Sequence, residues 1–75
     1  MKNDKCLAAL LPGEAGTVTM LCCEGGIRRR LLDIGMIPGT RILCVGRSPL
    51  GDPSAYFVRG KTIAIRREDA KKVQI

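Results

Sequence analysis

The sequence predicts a small, mainly β domain: a barrel of short strands with one short α-helix, spanning residues 1–75. Three observations predict this class. The chain has 75 residues, 45% of them are apolar, and nine glycines and four prolines divide it into short runs. Many short strands separated by glycine and proline turns are typical of small barrels. A domain of this size leaves no room for a deep catalytic cleft beside its core.

The first elements are an apolar segment and a strand. Residues 7–11 are apolar and end at a Pro-Gly pair, which is a turn signal. Residues 17–22 are rich in β-branched and apolar side chains, which predicts a strand. Two consecutive glycines, Gly25 and Gly26, end this strand.

The next segment has a helical period. The apolar residues Ile27, Leu31 and Ile34 fall at positions i, i+4 and i+7, which predicts a helix over residues 26–34. Gly35 follows at once, where a left-handed C-cap residue belongs. A Pro-Gly pair a few residues later prevents the helix from continuing.

Short strands dominate the remainder of the chain. Strands are predicted at residues 41–45, 55–59 and 62–66, followed by one helical turn at 68–72 and a closing strand around Val73 and Ile75. Alternation of side chains along these strands predicts which residues face inward. The predicted core consists of Val18, Met20, Ile42, Ile63, Ile65 and Val73, with Leu31 and Ile34 packing the helix over it.

Four cysteines and the absence of histidine limit the metal chemistry. The longest apolar run, residues 6–11, is shorter than the core of a signal peptide, so we expect a cytoplasmic location and free thiols. Cys22 and Cys23 are adjacent, so in a strand they face opposite sides and cannot chelate one ion together. We therefore predict no metal site and no cofactor.

The net charge of +6 suits an acidic partner, and the helix carries part of it. Arg28, Arg29 and Arg30 occupy most of the polar arc of the predicted helix. They form either a solvated face or a contact with an acidic protein surface. A phosphate contact is a third possibility.

The loop between the predicted strands at residues 41–45 and 55–59 is the other candidate contact surface. It contains Leu50, Gly51, Asp52 and Pro53 after a first proline, Pro49. The two prolines restrict the backbone and lower the entropy lost on docking. Leu50 is then either an exposed apolar tip or a side chain that folds back onto the barrel.

Several of these segments, in order, resemble the FeoA family. The run from Arg30 to Gly39, the loop from Pro49 to Pro53, and the segment from Arg59 to Ala70 resemble that family's helix signature, central loop and last hairpin. The resemblance implies an SH3-like barrel that acts in ferrous iron uptake without catalysis. It also implies a partner, FeoB, a membrane transporter with a cytosolic GTP-binding domain, so that the membrane is contacted only indirectly. No small-molecule substrate is expected.

Two other function classes are weaker. The segment from Pro12 to Val18 faintly resembles the turn of nucleic-acid-binding KOW modules, but the basic residues are not gathered into one stripe. Gly60-Lys61-Thr62 looks like the end of a phosphate-binding loop, yet Ala55 stands where that motif requires glycine. A hairpin turn explains this second motif better. An enzyme is the least supported class, because no nucleophile and base can be paired.

Overall fold

The computed structural model describes residues 5–75 and contains two antiparallel sheets. The elements in chain order are a 3-10 helix (Leu7–Ala9), β1 (Ala15–Thr17), β2 (Met20–Leu21), α1 (Gly25–Ile34), β3 (Arg41–Arg47), β4 (Ser54–Val58), β5 (Lys61–Ile65), α2 (Arg67–Ala70) and β6 (Val73–Gln74). The larger sheet has the strand order β1-β3-β4-β5, and β2 pairs with β6 in the smaller one. The predicted class, mainly β with a short helix, is confirmed. Its strands form two sheets rather than one closed ladder.

Helix α1 ends as the sequence predicts. Gly35 has φ 119°, and its N–H donates to the carbonyls of Leu31 and Leu32 at 3.2 and 3.0 Å. A Cβ at Gly35 would lie 3.1 Å from Cδ of Arg59 and 3.2 Å from Cγ1 of Val58. Glycine is therefore required twice, by the left-handed backbone and by the close approach of strand β4 and its turn.

The strand predicted at residues 17–22 is instead two strands, and this corrects one core assignment. The N–H of Val18 donates to the Thr40 carbonyl at 2.9 Å, whereas the N–H of Thr19 donates to the Gln74 carbonyl at 2.7 Å. The chain thus passes from one sheet to the other between these residues. The break changes the alternation, so Met20 is 50% exposed and lies outside the core.

The other core assignments hold to different degrees. Val18, Leu31, Ile42, Ile65 and Val73 are buried, as predicted. Two predicted members are only partly buried, Ile63 on the edge strand β5 and Ile34 in the last turn of α1. The predicted set missed Leu7, Leu10, Met36, Cys44, Tyr56, Val58 and Ala70, which are all buried.

Tyr56 joins the sheet to the N-terminal segment. Its side chain is 2% exposed, and its hydroxyl donates a hydrogen bond to the Leu7 carbonyl at 3.4 Å. Burial raises the pKa of this hydroxyl, because the phenolate would lose its hydration. The sequence alone indicates no partner for this hydroxyl, because the two residues are 49 positions apart in the chain.

A register shift in β3 positions a basic side chain over the same segment. Cys44 pairs with Tyr56 and Gly46 pairs with Ala55, so one extra residue is accommodated between them. After this shift Arg47 pairs with the buried Ser54. Its Nη2 donates to the Leu10 carbonyl at 3.1 Å and holds the N-terminal segment against the sheet.

Candidate partner-binding site

The loop between β3 and β4 presents an apolar tip to solvent. Leu50 is 93% exposed, more than any other large apolar residue among those described. The Gly51 N–H donates to the Ser48 carbonyl at 2.8 Å, and the Ser48 N–H donates to the Pro53 carbonyl at 3.1 Å. These two bonds close the loop beneath Leu50. Of the two alternatives left open by the sequence, the structure shows the exposed tip.

Asp52 fastens this loop to the short helix α2. Its Oδ1 accepts a hydrogen bond of 2.8 Å from the backbone N–H of Arg67, the first residue of α2. The first amides of a helix have no partner within the helix, so a side-chain oxygen there stabilises the helix start. Asp52 thus has a structural role in the loop, while Gly51 is exposed and Pro53 is half-buried.

The three arginines of α1 do not act as one group. Arg28 and Arg29 are exposed on the helix surface. Arg30 instead turns toward α2, where its Nη2 donates a hydrogen bond of 2.6 Å to Oδ2 of Asp69. Asp69 is 11% exposed in its side chain and Arg30 is 62% exposed, so the ion pair is half-buried. Arg29 and Asp33, which are one turn apart on α1, form no ion pair within residues 5–75.

Helix α2 connects the two predicted contact surfaces. Its first residue, Arg67, holds the loop through Asp52, and its third residue, Asp69, holds α1 through Arg30. No role of Arg67 or Asp69 was predicted from the sequence. Their hydrogen-bond partners lie 15 and 39 residues away, which no local pattern reveals.

The thiols are dispersed through the structure. Cys44 is buried, Cys6 and Cys23 are half-buried, and Cys22 is exposed. No group of three or more Cys, Asp or Glu side chains with metal-binding geometry occurs in the part of the chain that is described, residues 5–75. That no metal is bound stays a prediction. No helix of the same residues is long and apolar enough to cross a bilayer.

Two antiparallel sheets covered by helix α1 define a small SH3-like domain. The model of the FeoA domain family matches residues 5–75 of the chain. The chain therefore belongs to the FeoA family, whose members take part in ferrous iron transport. Both the resemblance predicted from the sequence and its SH3-like fold are confirmed.

Three relatives illustrate this membership. A fusion of Fe(2+) transport protein A and the Fe(2+) transporter FeoB from Porphyromonas gingivalis is 32% identical over 69 residues, which are 92% of this chain and 8% of that protein. The chain thus spans a small fraction of that relative. A FeoA-like protein of Clostridium acetobutylicum has a TM-score of 0.89 and 30% identity, covering 99% of this chain and 86% of that one.

The third relative carries a metal. FeoA of Stenotrophomonas maltophilia, solved as a zinc complex, has a TM-score of 0.81 and 26% identity over 92% of this chain and 86% of that one. It is described as a prokaryotic SH3 domain protein and a candidate activating factor of bacterial ferrous iron transport.

A manganese-dependent transcriptional repressor is also similar, with a TM-score of 0.86 over 99% of this chain and 36% of that one. Its identity is 18%, which shows a shared fold alone.

Proposed function

We propose that residues 1–75 form one cytoplasmic, non-catalytic module that regulates ferrous iron uptake by binding the cytosolic GTP-binding part of a FeoB-type transporter. The observation that carries this proposal is the Porphyromonas gingivalis relative, in which the two proteins are one chain. Covalent linkage holds two domains at a high effective concentration. Such a fusion is favourable where the separate domains have to meet for function.

The exposed loop supplies the contact that fits this proposal best. Leu50 is a rigidly presented apolar anchor, and anchors of this kind bind in pockets of a partner. Because the hydrogen bonds of Ser48 and Asp52 already order the loop, little entropy is lost on docking. Gly51, Asp52 and Pro53 shape the loop rather than provide most of the binding energy.

Arg28 and Arg29 supply the second contribution. They are exposed and make no ion pair with any residue from 5 to 75. Exposed charges of this kind accelerate encounter with an oppositely charged surface more than they hold a complex. Arg30 contributes less to the partner than its neighbours, because it already binds Asp69.

A role without catalysis fits the polar contacts. In the described chain, no Ser, Thr or Cys side chain hydrogen-bonds a carboxylate or an amine that could act as its base. The sequence also has no histidine. Neither a nucleophile and base nor a cofactor is therefore proposed.

Calorimetric titration of the cytosolic domain of a FeoB-type transporter with this domain tests the proposal. We expect saturable one-to-one binding that persists when the salt concentration is raised several-fold. Binding dominated by phosphate contacts would instead weaken steeply with salt. The nucleic-acid alternative would be favoured by two results together. The titration would show no binding heat, whichever nucleotide the transporter domain carries, and the domain would bind a DNA duplex with an affinity that falls as salt is added.

A further inference from the structure

Strand β5 has a free edge. A two-residue turn joins β4 to β5, so Val58 and Lys61, which flank the turn, form a hydrogen-bonded pair. From this pair onward, pairs with and without mutual hydrogen bonds alternate along the two strands. Thr62 and Ala64 belong to the pairs without mutual hydrogen bonds, so their N–H and C=O groups point away from β4. Among residues 5–75, no strand pairs with this side of β5, and these four groups have no other hydrogen-bond partner.

A groove accompanies this free edge. Between α1 and the β4–β5 hairpin lies a cleft of about 450 Å³, lined in part by Ile34, Val58 and Lys61. A second cleft of about 260 Å³, lined in part by Leu31, Ile34 and Ala64, lies farther along β5. Ile34 lines both clefts, so they adjoin at this residue, and together they are called the groove below.

Positive charge predominates along the groove. Arg59 and Lys61 line it at the hairpin end, and Arg66 lines it at the other end. Two carboxylates also face it, Asp33 near the hairpin and Asp69 near α2. The Asp69 carboxylate is already bound by Arg30, which lines the same cleft, so the cations are in excess.

We propose that the β5 edge is a docking surface for an extended, acidic segment of a partner protein, which adds a strand to the sheet. The unpaired groups of Thr62 and Ala64 match the backbone of an extended chain. Strand addition of this kind derives affinity from main-chain hydrogen bonds and specificity from pockets for alternate side chains. Apolar side chains of the added strand would lie over Ile34, and acidic ones would meet Lys61 and Arg66.

The same charges disfavour the other occupant of an open edge, a second copy of this chain. Lysine and arginine on edge strands protect against edge-to-edge pairing. An antiparallel pairing of two β5 strands would bring Lys61 of one copy close to the cations at the far end of the other. None of the residues that line the groove belongs to the Leu50 loop, residues 49–53.

A blocked eight-residue peptide of alternating glutamate and valine provides the test, titrated into the isotope-labelled domain. We expect saturable binding and at least a tenfold slowing of amide exchange at Thr62 and Ala64. The same peptide, N-methylated at the residues whose donors face β5, retains its side chains and loses those donors. It should bind more than about tenfold more weakly, because it has lost the donors that would bond the carbonyls of Thr62 and Ala64.

Matched charge variants complete the test. Lys61→Glu should weaken binding of the peptide about fivefold. Arg41→Glu makes the same change on β3, two strands from the edge, and should leave binding unchanged. Absence of saturable binding, equal binding of the methylated peptide, or equal effects of the two variants would overturn the proposal. Concentration-dependent protection of Thr62 and Ala64 without peptide would show that a second copy occupies the edge.

Discussion

Arg30 of α1 donates a hydrogen bond of 2.6 Å to the carboxylate of Asp69 in α2, across 39 residues of sequence. The bond links the helix that covers the core to the short helix that also anchors the Leu50 loop. The side chain of Arg30 is 62% exposed, so solvent weakens the attraction between the two charges.

A double-mutant cycle measures this link. Arg30→Ala and Asp69→Ala should each destabilise the domain, and their coupling free energy should be about 1 kcal/mol because the pair is only partly buried. Denaturant unfolding of the four proteins gives the value. Additive effects of the two substitutions would show that the pair contributes nothing to stability. Arg28→Ala is the control, since its side chain has no intramolecular ion pair among the described residues.

The depth of Ile65 and Ile63 in the fold should separate two otherwise similar substitutions. Ile65 is 4% exposed, whereas Ile63 is only partly buried on the same edge strand. We expect Ile65→Ala to cost about 2–5 kcal/mol of unfolding free energy and Ile63→Ala roughly half as much. Thr62→Ala, on the outward face, should change stability by less than about 0.5 kcal/mol. Equal melting curves for both isoleucine variants and the parent would contradict the assigned inward face.

Alkaline conditions should reveal the buried phenol. The pKa of Tyr56 is raised above its ordinary value of 10.0 by burial, so the folded state holds this proton more tightly than the unfolded state. Its contribution is complete below about pH 10 and is lost as the pH rises through the folded pKa. Tyr56→Phe lacks this proton and loses the hydrogen bond to Leu7, so it should be less stable than the parent near neutral pH.

Melting temperatures of the two proteins across this pH range test the assignment. The difference between parent and Tyr56→Phe should shrink above about pH 10, because only the parent has a phenol to ionise. Lysine and cysteine ionisation affects both proteins and cancels in the comparison. Tyr56 is the single tyrosine and the chain has no tryptophan, so near-ultraviolet absorbance reports its ionisation directly. A constant difference would contradict the buried, neutral phenol.

Charge reversal on α1 should act on the rate of association. The double substitution Arg28→Glu and Arg29→Glu should slow association with the transporter domain about tenfold at low salt and leave the dissociation rate almost unchanged. The effect should diminish as salt screens the charges. Kinetic binding measurements at several salt concentrations decide this. The matched control is Lys71→Glu with Lys72→Glu, which removes the same charge after α2; equal slowing would indicate a nonspecific effect of net charge.

The features that the sequence predicted well depend on neighbouring residues. The helix and its Gly35 cap follow from apolar spacing and from one left-handed position, so both are visible locally. Met20 was misassigned because the predicted strand breaks between Val18 and Thr19. The amides of these two residues donate to the distant carbonyls of Thr40 and Gln74, respectively. The sequence likewise left the position of Leu50 open, since its exposure depends on bonds that close the loop.

The candidate site shows the same division. The basic character of Arg28 and Arg29 is evident from the sequence, as is the apolar residue between two prolines. That Arg30 turns away toward Asp69, and that Asp52 caps α2, depends on how α2 folds back between the two surfaces. The free edge of β5 could be found only once the strand order was established.

The most direct test of the proposed function compares two apolar-to-acidic substitutions in binding to the cytosolic domain of a FeoB-type transporter. Leu50→Asp places a charge on the 93% exposed loop tip, and Met20→Asp places one on β2, where the side chain is 50% exposed. Leu50→Asp should raise the dissociation rate at least tenfold with an unchanged melting temperature, because an apolar anchor acts after encounter. Met20→Asp should bind like the parent. If Leu50→Asp dissociates at the parent's rate while both variants remain folded, the Leu50 loop is not the contact with the transporter.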